Sequence, residues 1–184
     1  MLLKRMENRL AARRLIFAGT LALALSACAG ISDRDPPAGQ PSFYRSLAQP
    51  GAQLDAGAAQ SIISGYRQNN GLSAVTLDPS LMQLAQEQAR AMAARDKLDH
   101  NIKRGFNERV RGSGFDAKLA VENIGAGYHT LAEAFSGWRD SPSHRSNMLK
   151  SGATHMGIAA VYAPNSKYKV FWSLVLAAPD DPRG

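Results

Sequence analysis

The chain has 184 residues, a formal net charge of +7 and 45% hydrophobic residues, a composition typical of one folded domain with its own core. Residues 1–27 hold five Lys and Arg residues against one Glu, so removing this segment takes four charges away and leaves +3. The remaining basic residues are scattered among acidic ones, and this distribution argues against nucleic-acid binding.

The N-terminal segment has the three parts of a secretion signal. In residues 1–27, a basic stretch is followed by an apolar run over Leu15–Leu25 and by small residues. A buried helix of the domain is the other interpretation of this run, but the basic flank and the small residues fit export better. The run is also shorter than the roughly 20 apolar residues that span a bilayer.

The only cysteine, Cys28, follows this segment directly, and Leu25-Ser26-Ala27-Cys28 resembles the bacterial lipobox. We therefore expect cleavage before Cys28, attachment of lipid to its sulfur, and a mature domain without a disulfide. The expected partner of this end of the chain is a membrane. Ala29 is typical of lipoproteins sent to the outer membrane, so we expect a periplasm-facing protein of the cell envelope, in the outer membrane rather than the inner one.

Residues 28–52 are predicted to be a tether. They contain four prolines together with Gly, Ser and Gln, and they show no apolar periodicity. The folded domain is predicted for residues 53–178, followed by a short tail at 179–184. A first helix is expected from Asp55, and residues 74–77 are a candidate for a short strand.

Two further helices carry clear start signals. Asp78 can cap a long helix, which is expected to end near Leu98. Thr130 and Glu133 have the spacing of a capping box, which predicts a helix that continues through Trp138. We expect Trp138 to lie on the buried face of this helix.

The C-terminal part changes its period from that of a helix to that of a strand. After a helical turn at Ser141, apolar residues alternate over 156–162 and 170–176, which predicts a β-hairpin. Phe171 and Val175 make the second strand apolar on both faces, so we expect it to lie centrally with helices on both sides. The predicted fold is α+β, a three-layer α-β-α sandwich with a central, mainly antiparallel sheet.

The four histidines are the first candidates for chemistry. His129 lies beside a helix cap and His155 begins a strand, so we expect structural roles for both. His100 and His144 flank Glu122 along the chain, and two imidazoles with one carboxylate are a usable zinc set that leaves a position open for water. The spacing alone does not prove a shared site, because no His-Glu-x-x-His motif places two ligands on one helical face.

Two other catalytic arrangements have weaker support. Ser141, His144 and Glu122 can be drawn as a Ser-His-acid triad, but the chain has no Gly-x-Ser-x-Gly motif to expose the serine. The segment Gly125-Ala126-Gly127 lacks the glycine spacing and the lysine of a phosphate-binding loop. The residues alone leave open a metal site, a triad, or separate structural histidines.

The order of these segments resembles the CAP superfamily, which contains cysteine-rich secretory proteins, antigen 5 and plant pathogenesis-related proteins, in its compact bacterial form. The resemblance covers about residues 55–177. It is carried by four features: the helix that ends before His100, Glu122-Asn123-Ile124, the stretch Trp138–Leu149 with His144-Arg145-x-Asn147, and Met156-Gly157-Ile158. It implies an α-β-α sandwich with a cleft of two histidines and acidic residues, which in several relatives binds a divalent metal.

The resemblance assigns His100, Glu122 and His144 to this cleft, where they would hold zinc or another divalent ion. Residues beside the cleft would support them: Asn123, Ser141 and Asn147. Ser141 stands where the family has a second glutamate, so the site would offer two histidines and one acid at most and would lack a possible general base.

Three functions follow as hypotheses. The first is a binding domain for a small molecule, a lipid, a sterol-like ligand or a cell-wall fragment. The second is a metal-dependent hydrolase in which a metal-bound water attacks an amide or ester, with Glu122 as base if it is not a ligand. The third is a structural or interaction domain in which His100, Glu122 and His144 form only a hydrogen-bonded network. Whether the protein is an enzyme stays open.

Overall fold

The computed structural model describes residues 39–180. The signal segment, Cys28, the first part of the predicted tether and residues 181–184 lie outside the described residues. None of the described helices is long and apolar enough to cross a membrane. In chain order the described elements are a 3-10 helix at Ser42–Tyr44, α1 at Ala56–Asn69, β1 at Thr76–Leu77, α2 at Pro79–Arg95, α3 at Phe106–Arg111, β2 at Ala117–Ala126, α4 at Leu131–Asp140, α5 at Pro142–Met148, β3 at His155–Tyr162 and β4 at Val170–Pro179.

The four strands form one sheet in the order β1-β3-β4-β2. Strands β3 and β4 pair antiparallel, with His155 opposite Ala177 and Tyr162 opposite Val170, which confirms the predicted hairpin. Strand β2 pairs antiparallel with the other side of β4, and the short β1 pairs parallel with β3. Strand β4 is therefore an inner strand, and its residues 170–178 are all buried, as its apolar residues on both faces predict.

Helices cover both faces of this sheet. Alternate residues of a strand point to opposite faces, and on one face Trp172, Leu174 and Leu176 join a core cluster with residues of α1, α4 and α5. On the other face Val175 and Ala177 pack against residues of α2 and α3. The predicted three-layer α-β-α sandwich with a mainly antiparallel sheet is confirmed.

Two tryptophans pack against each other in the first of these clusters. Trp138 is 1% exposed and Trp172 is fully buried, and their rings meet edge to face with centroids 6.3 Å apart. Each indole N–H donates to a backbone carbonyl, from Trp138 to Ile124 at 3.2 Å and from Trp172 to Tyr128 at 2.8 Å. Both rings are therefore buried without leaving a polar group unpaired.

The helix starts agree with their sequence signals. The carboxylates of Asp55 and Asp78 each accept a hydrogen bond from a backbone N–H in the first turn, at 2.9 Å in both cases. Thr130 and Glu133 form the predicted capping box, in which each side chain accepts from the other residue's backbone N–H. These caps satisfy backbone donors that the helix itself leaves unpaired.

Helix α2 ends earlier than predicted. Its last residue is Arg95, and Asp96 follows in the left-handed conformation with φ of 47°. The Asp96 carboxylate accepts a hydrogen bond from the Ser166 hydroxyl, which holds this turn against the β3–β4 loop. Leu98, where we expected the helix to end, lies beyond the turn and is 48% exposed.

Part of the predicted tether is packed onto the domain. Residues 42–44 form a 3-10 helix, and Leu47 is buried in the main core cluster, against which Phe43 and Ala48 also pack. The Leu47 backbone N–H donates to the His129 carbonyl at 2.7 Å. Apolar side chains therefore attach this segment to the core, although they are too widely spaced to show a helical or strand period. The folded unit begins before residue 53.

Strand β2 has no counterpart among the predicted elements. Its sequence, AKLAVENIGA, is poor in strand-forming residues, and its conformation depends on nine pairings with β4. Gly125 and Ala126 belong to this strand, although glycine and alanine are poor strand formers. Gly127, with φ of 88°, ends it.

Candidate functional site

The centre of the candidate site is the carboxylate of Glu122, whose side chain is 1% exposed. Arg109 binds it with both terminal nitrogens, at 2.9 Å to Oε2 and 3.1 Å to Oε1. His100 Nδ1 lies 2.8 Å from Oε2, and the Ser173 hydroxyl donates to Oε1 at 3.2 Å. A buried carboxylate is costly unless it is paired and hydrogen-bonded, and here each oxygen has at least two donors.

The partner of this carboxylate, Arg109, lies on the short helix α3 and is itself 5% exposed. One of its terminal nitrogens also donates to the His100 carbonyl at 3.0 Å, and its guanidinium carbon lies 5.3 Å from the centre of the Phe106 ring. Arg109 therefore fixes both Glu122 and the backbone of the loop that carries His100. Nothing in the sequence distinguishes it from the nearby Arg104 and Arg111.

His100 lies in the loop between α2 and α3, and its side chain is 46% exposed. Because the contact with Glu122 occupies Nδ1, the nitrogen that is left for a ligand is Nε2. The carboxylate and the Arg109 contact to the His100 backbone hold the ring in one orientation.

His144 lies on α5 and is half-buried. Its Nδ1 is 2.9 Å from the Ser141 hydroxyl, so Nε2 is again the nitrogen left for a ligand. Burial is the first cause that lowers the pKa of His144 below its ordinary 6.5, and the charge of His100 is the second. The ring is therefore neutral at neutral pH, and it is close enough to His100 for the two to interact electrostatically.

The three predicted supporting residues contact this site. Asn123 donates through its side-chain amide to the His144 carbonyl at 2.9 Å. Asn147 donates to the Glu122 carbonyl and to the Asn123 side chain, both at 3.0 Å. Together with Ser141, which contacts the His144 ring, these residues tie α5 to β2.

The site is built around an edge of the sheet. Glu122 and Asn123 are neighbours on β2, so their side chains point to opposite faces. Glu122 meets Arg109 and His100 on the α2–α3 side, while Asn123 meets α5 on the other side. Because β2 is an edge strand, His100 and His144 can approach each other around it. His100 and Glu122 are in direct contact, and His144 contacts neither by a hydrogen bond.

The donors at this site do not match a zinc centre. Within residues 39–180, no group of three or more His, Cys, Asp and Glu side chains is arranged to hold a metal ion. Arg109, His100 and Ser173 already engage both oxygens of Glu122, and a cation there would compete with a buried guanidinium. The two free ring nitrogens are fewer than the three protein ligands of a catalytic zinc site. The predicted role of His100, Glu122 and His144 as metal ligands stays a prediction.

The Ser-His-acid alternative is assembled only in part. Ser141 and His144 are in contact at 2.9 Å, but the acid orients the other histidine, because Glu122 contacts His100. A triad needs the acid on the imidazole that serves the serine. The residues as placed therefore give a serine–histidine pair without its carboxylate.

The remaining two histidines lie in the structural positions expected of them. His129 is exposed at the start of α4, and its backbone N–H donates to the Glu133 carboxylate at 2.6 Å. His155 is the first residue of β3, and its ring lies 2.9 Å from the Thr154 hydroxyl and edge-on to Phe115. Neither ring takes part in the contacts around Glu122.

The comparisons with known proteins agree with this fold. The sequence pattern of the cysteine-rich secretory protein family, CAP, matches residues 60–176. The uncharacterized protein YkwD of Bacillus subtilis (strain 168) is 30% identical over 102 residues, which are 54% of this chain and 40% of that protein. The match thus spans two fifths of the length of this relative.

Solved structures resemble the chain at lower identity. An extracellular protein of Bacillus anthracis str. Ames that contains an SCP domain has a TM-score of 0.58 at 20% identity, over 66% of this chain and 39% of that one. An outer surface protein of Borrelia burgdorferi has a TM-score of 0.62 at 17% identity, over 71% of this chain and 99% of that one. These likenesses concern the fold. With the family pattern matched over more than half of its length, the chain belongs to the cysteine-rich secretory protein family, CAP.

Proposed function

We propose that this protein is an envelope-anchored binding domain whose cleft at His100, Glu122 and His144 takes a small polar molecule, such as a cell-wall fragment, without converting it. The observation that carries this proposal is that the Glu122 carboxylate is already fully hydrogen-bonded. A general base needs a lone pair within reach of the proton that it removes, and both Glu122 oxygens already accept hydrogen bonds from Arg109 and other donors. Glu122 acts as an organiser of the cleft.

The two imidazoles are the groups that would contact the ligand. Each is held through Nδ1, by Glu122 for His100 and by Ser141 for His144, so little ordering is required when a ligand binds. An Nε2 that carries a hydrogen donates to a ligand, and one without a hydrogen accepts from it. Hydroxyl and amide groups, which abound in cell-wall glycopeptides, fit these nitrogens better than a lipid or a sterol-like ligand does.

A binding titration tests this function. We expect a soluble muropeptide to bind the purified protein in calorimetry, and binding to weaken at least tenfold in His100→Ala and in His144→Ala. His129→Ala is the matched control, because that ring is exposed and outside the cleft. Zinc binding that requires both His100 and His144, or turnover of a peptide or peptidoglycan substrate, would contradict the proposal and favour the metal-dependent hydrolase. If the protein is only a structural or interaction domain, neither the muropeptide nor zinc binds.

The location is proposed on separate grounds. The signal segment and the lipobox-like Leu25-Ser26-Ala27-Cys28 support export and lipidation, and a similar structure belongs to a protein described as an outer surface protein. Several acyl chains on Cys28 would hold the domain firmly, whereas one chain binds a membrane only marginally. We place the protein in the cell envelope, facing the periplasm, with the outer membrane favoured by Ala29.

Membrane fractionation tests the anchor. The unaltered protein is expected with the membranes, and Cys28→Ser is expected to release or mislocalise it. Ser32→Ala is the control, since it leaves the lipobox-like sequence intact. Recovery of the unaltered protein as a soluble form with a free Cys28 thiol would overturn the lipid anchor and leave the proposed cleft untouched.

A further inference from the structure

A cavity of about 350 Å³ adjoins Arg109 on the side of α2 and the segment that leads into α3. His100, Glu122 and His144 do not line it, so it is separate from the cleft. Its volume is in the range of sites for small ligands. Arg109 lines this cavity while its terminal nitrogens hold Glu122, so the same residue belongs to both places.

Two residues that line this cavity each carry a buried polar atom with no hydrogen-bond partner in the part of the chain that the structure describes. The atoms are Gln88 Oε1, on a residue that is 1% exposed, and Arg109 Nε, on a residue that is 5% exposed. Gln88 donates through its amide nitrogen to the Asp99 carbonyl at 2.7 Å, and this bond fixes which end of the amide carries the oxygen. Because buried polar groups are normally hydrogen-bonded, an unpaired acceptor and an unpaired donor on two residues that line one cavity indicate a missing partner that would reach them from the cavity by a small side-chain shift.

The charge around the cavity indicates the sign of that partner. The exposed cations Arg90, Lys103 and Arg104 line it, against the single carboxylate of Glu87. The charge of Arg109 is already balanced by Glu122, so attraction for an anion comes from these three side chains. The Arg109 Nε–H adds a directed donor in a place where water is largely excluded.

We propose that this cavity is a second binding site, for a small carboxylate that carries an N–H or O–H donor next to the carboxylate, as N-acyl amino acids and hydroxy acids do. A carboxylate oxygen accepts from Arg109 Nε–H, and the adjacent donor binds Gln88 Oε1. The cations Lys103 and Arg104 hold the negative charge at the rim. This inference does not rest on the proposed function of the cleft.

A titration followed by NMR tests the site in the whole purified protein. N-acetylalanine and lactate share the required donor beside a carboxylate and separate the N-acyl and hydroxy acid classes, while acetate lacks the donor. We expect at least one of the first two to shift the Arg109 Nε–H and Gln88 side-chain amide signals, and to bind at least tenfold more tightly than acetate. The class that binds more tightly identifies the ligand type.

Charge variants complete the test. The double variant Lys103→Gln and Arg104→Gln removes two rim cations and should weaken binding at least tenfold. Its control, Arg95→Gln with Arg111→Gln, removes the same charge from exposed residues that do not line the cavity. Equal affinity for acetate, equal loss in both double variants, or shifts at His100 in place of Arg109 would overturn the proposal. The absence of any shift with N-acetylalanine and with lactate would overturn it as well.

Discussion

Two arginines are buried in the described part of the chain, and their surroundings differ. Arg67, on α1, is fully buried and donates to four backbone carbonyls: Ser73 at 2.9 Å, Met148 at 2.9 Å, Lys150 at 3.0 Å and Ala153 at 2.8 Å. All three of its nitrogens are used, and none meets a carboxylate. Burial lowers the pKa of Arg67 below its ordinary value.

Arg109 is paired in another way. It holds a buried carboxylate, Glu122, and the backbone of the loop that carries His100. Its Nε has no partner within residues 39–180, and the residue lines a cavity. An arginine such as Arg67, in which every nitrogen donates to a backbone carbonyl, joins segments of the chain. The unpaired Nε of Arg109 is the observation on which the proposed second binding site rests. Both arginines are buried, so what distinguishes them is the set of partners that their guanidinium nitrogens have.

The largest effect is expected at Arg67. Replacing it in Arg67→Met removes every hydrogen bond to the four carbonyls, which leaves several of them buried and unpaired. Since each bond to a charged group contributes about 1.5–3 kcal/mol, we expect the loss of all four to lower the free energy of unfolding, measured with urea, by at least about 5 kcal/mol. Arg95→Met, at an exposed residue of α2, is the control. A loss below about 1 kcal/mol would mean that Arg67 does not join these segments.

The ion pair of Arg109 with Glu122 gives the next effect. Glu122→Gln leaves a buried charge without its partner and should reduce stability by about 3–5 kcal/mol, as should Arg109→Met. The double variant is expected to lose less than the sum, with a coupling of about 2–3 kcal/mol. The exposed pair Arg139–Asp140 serves as the control, since surface ion pairs contribute little. Additive losses at Arg109 and Glu122 would show that the two residues act independently.

Local sequence signals predicted one part of this molecule and long-range contacts determine the rest. The caps at Asp55, Asp78 and Thr130 and the hairpin of β3 and β4 follow from neighbouring residues and from alternation, and the structure confirms them. Strand β2 takes its conformation from pairing with β4, so its own residues do not predict it.

The partners of the site residues are still less predictable. His100 and Glu122 were expected in one cleft from the resemblance to the family, and they are in contact at 2.8 Å. Arg109 and Arg67 could not be selected from the sequence, because a surface arginine and a buried one have the same local pattern. Their partners lie up to 86 positions away along the chain.

The smallest effect is expected in the pH dependence of stability, through His144 on α5. Burial and the nearby His100 lower the pKa of His144 below 6.5, so the unfolded chain protonates this ring at a higher pH than the folded protein does. The folded state therefore loses stability as the pH falls below about 6.5, down to the folded pKa. We expect His144→Gln to flatten the pH dependence of urea unfolding between about pH 7 and 5, and the exposed-ring control His129→Gln to leave it unchanged. An identical profile in both variants would contradict the assigned burial of His144.

The commitment of Glu122 to Arg109 is the central claim, and a crystal structure of the protein grown with zinc tests it most directly. The expected result is that Arg109 keeps both terminal nitrogens on the Glu122 carboxylate and that no metal lies on either oxygen. Zinc at about 2.0–2.2 Å from a Glu122 oxygen and from a ring nitrogen of both His100 and His144, with Arg109 displaced, would contradict it.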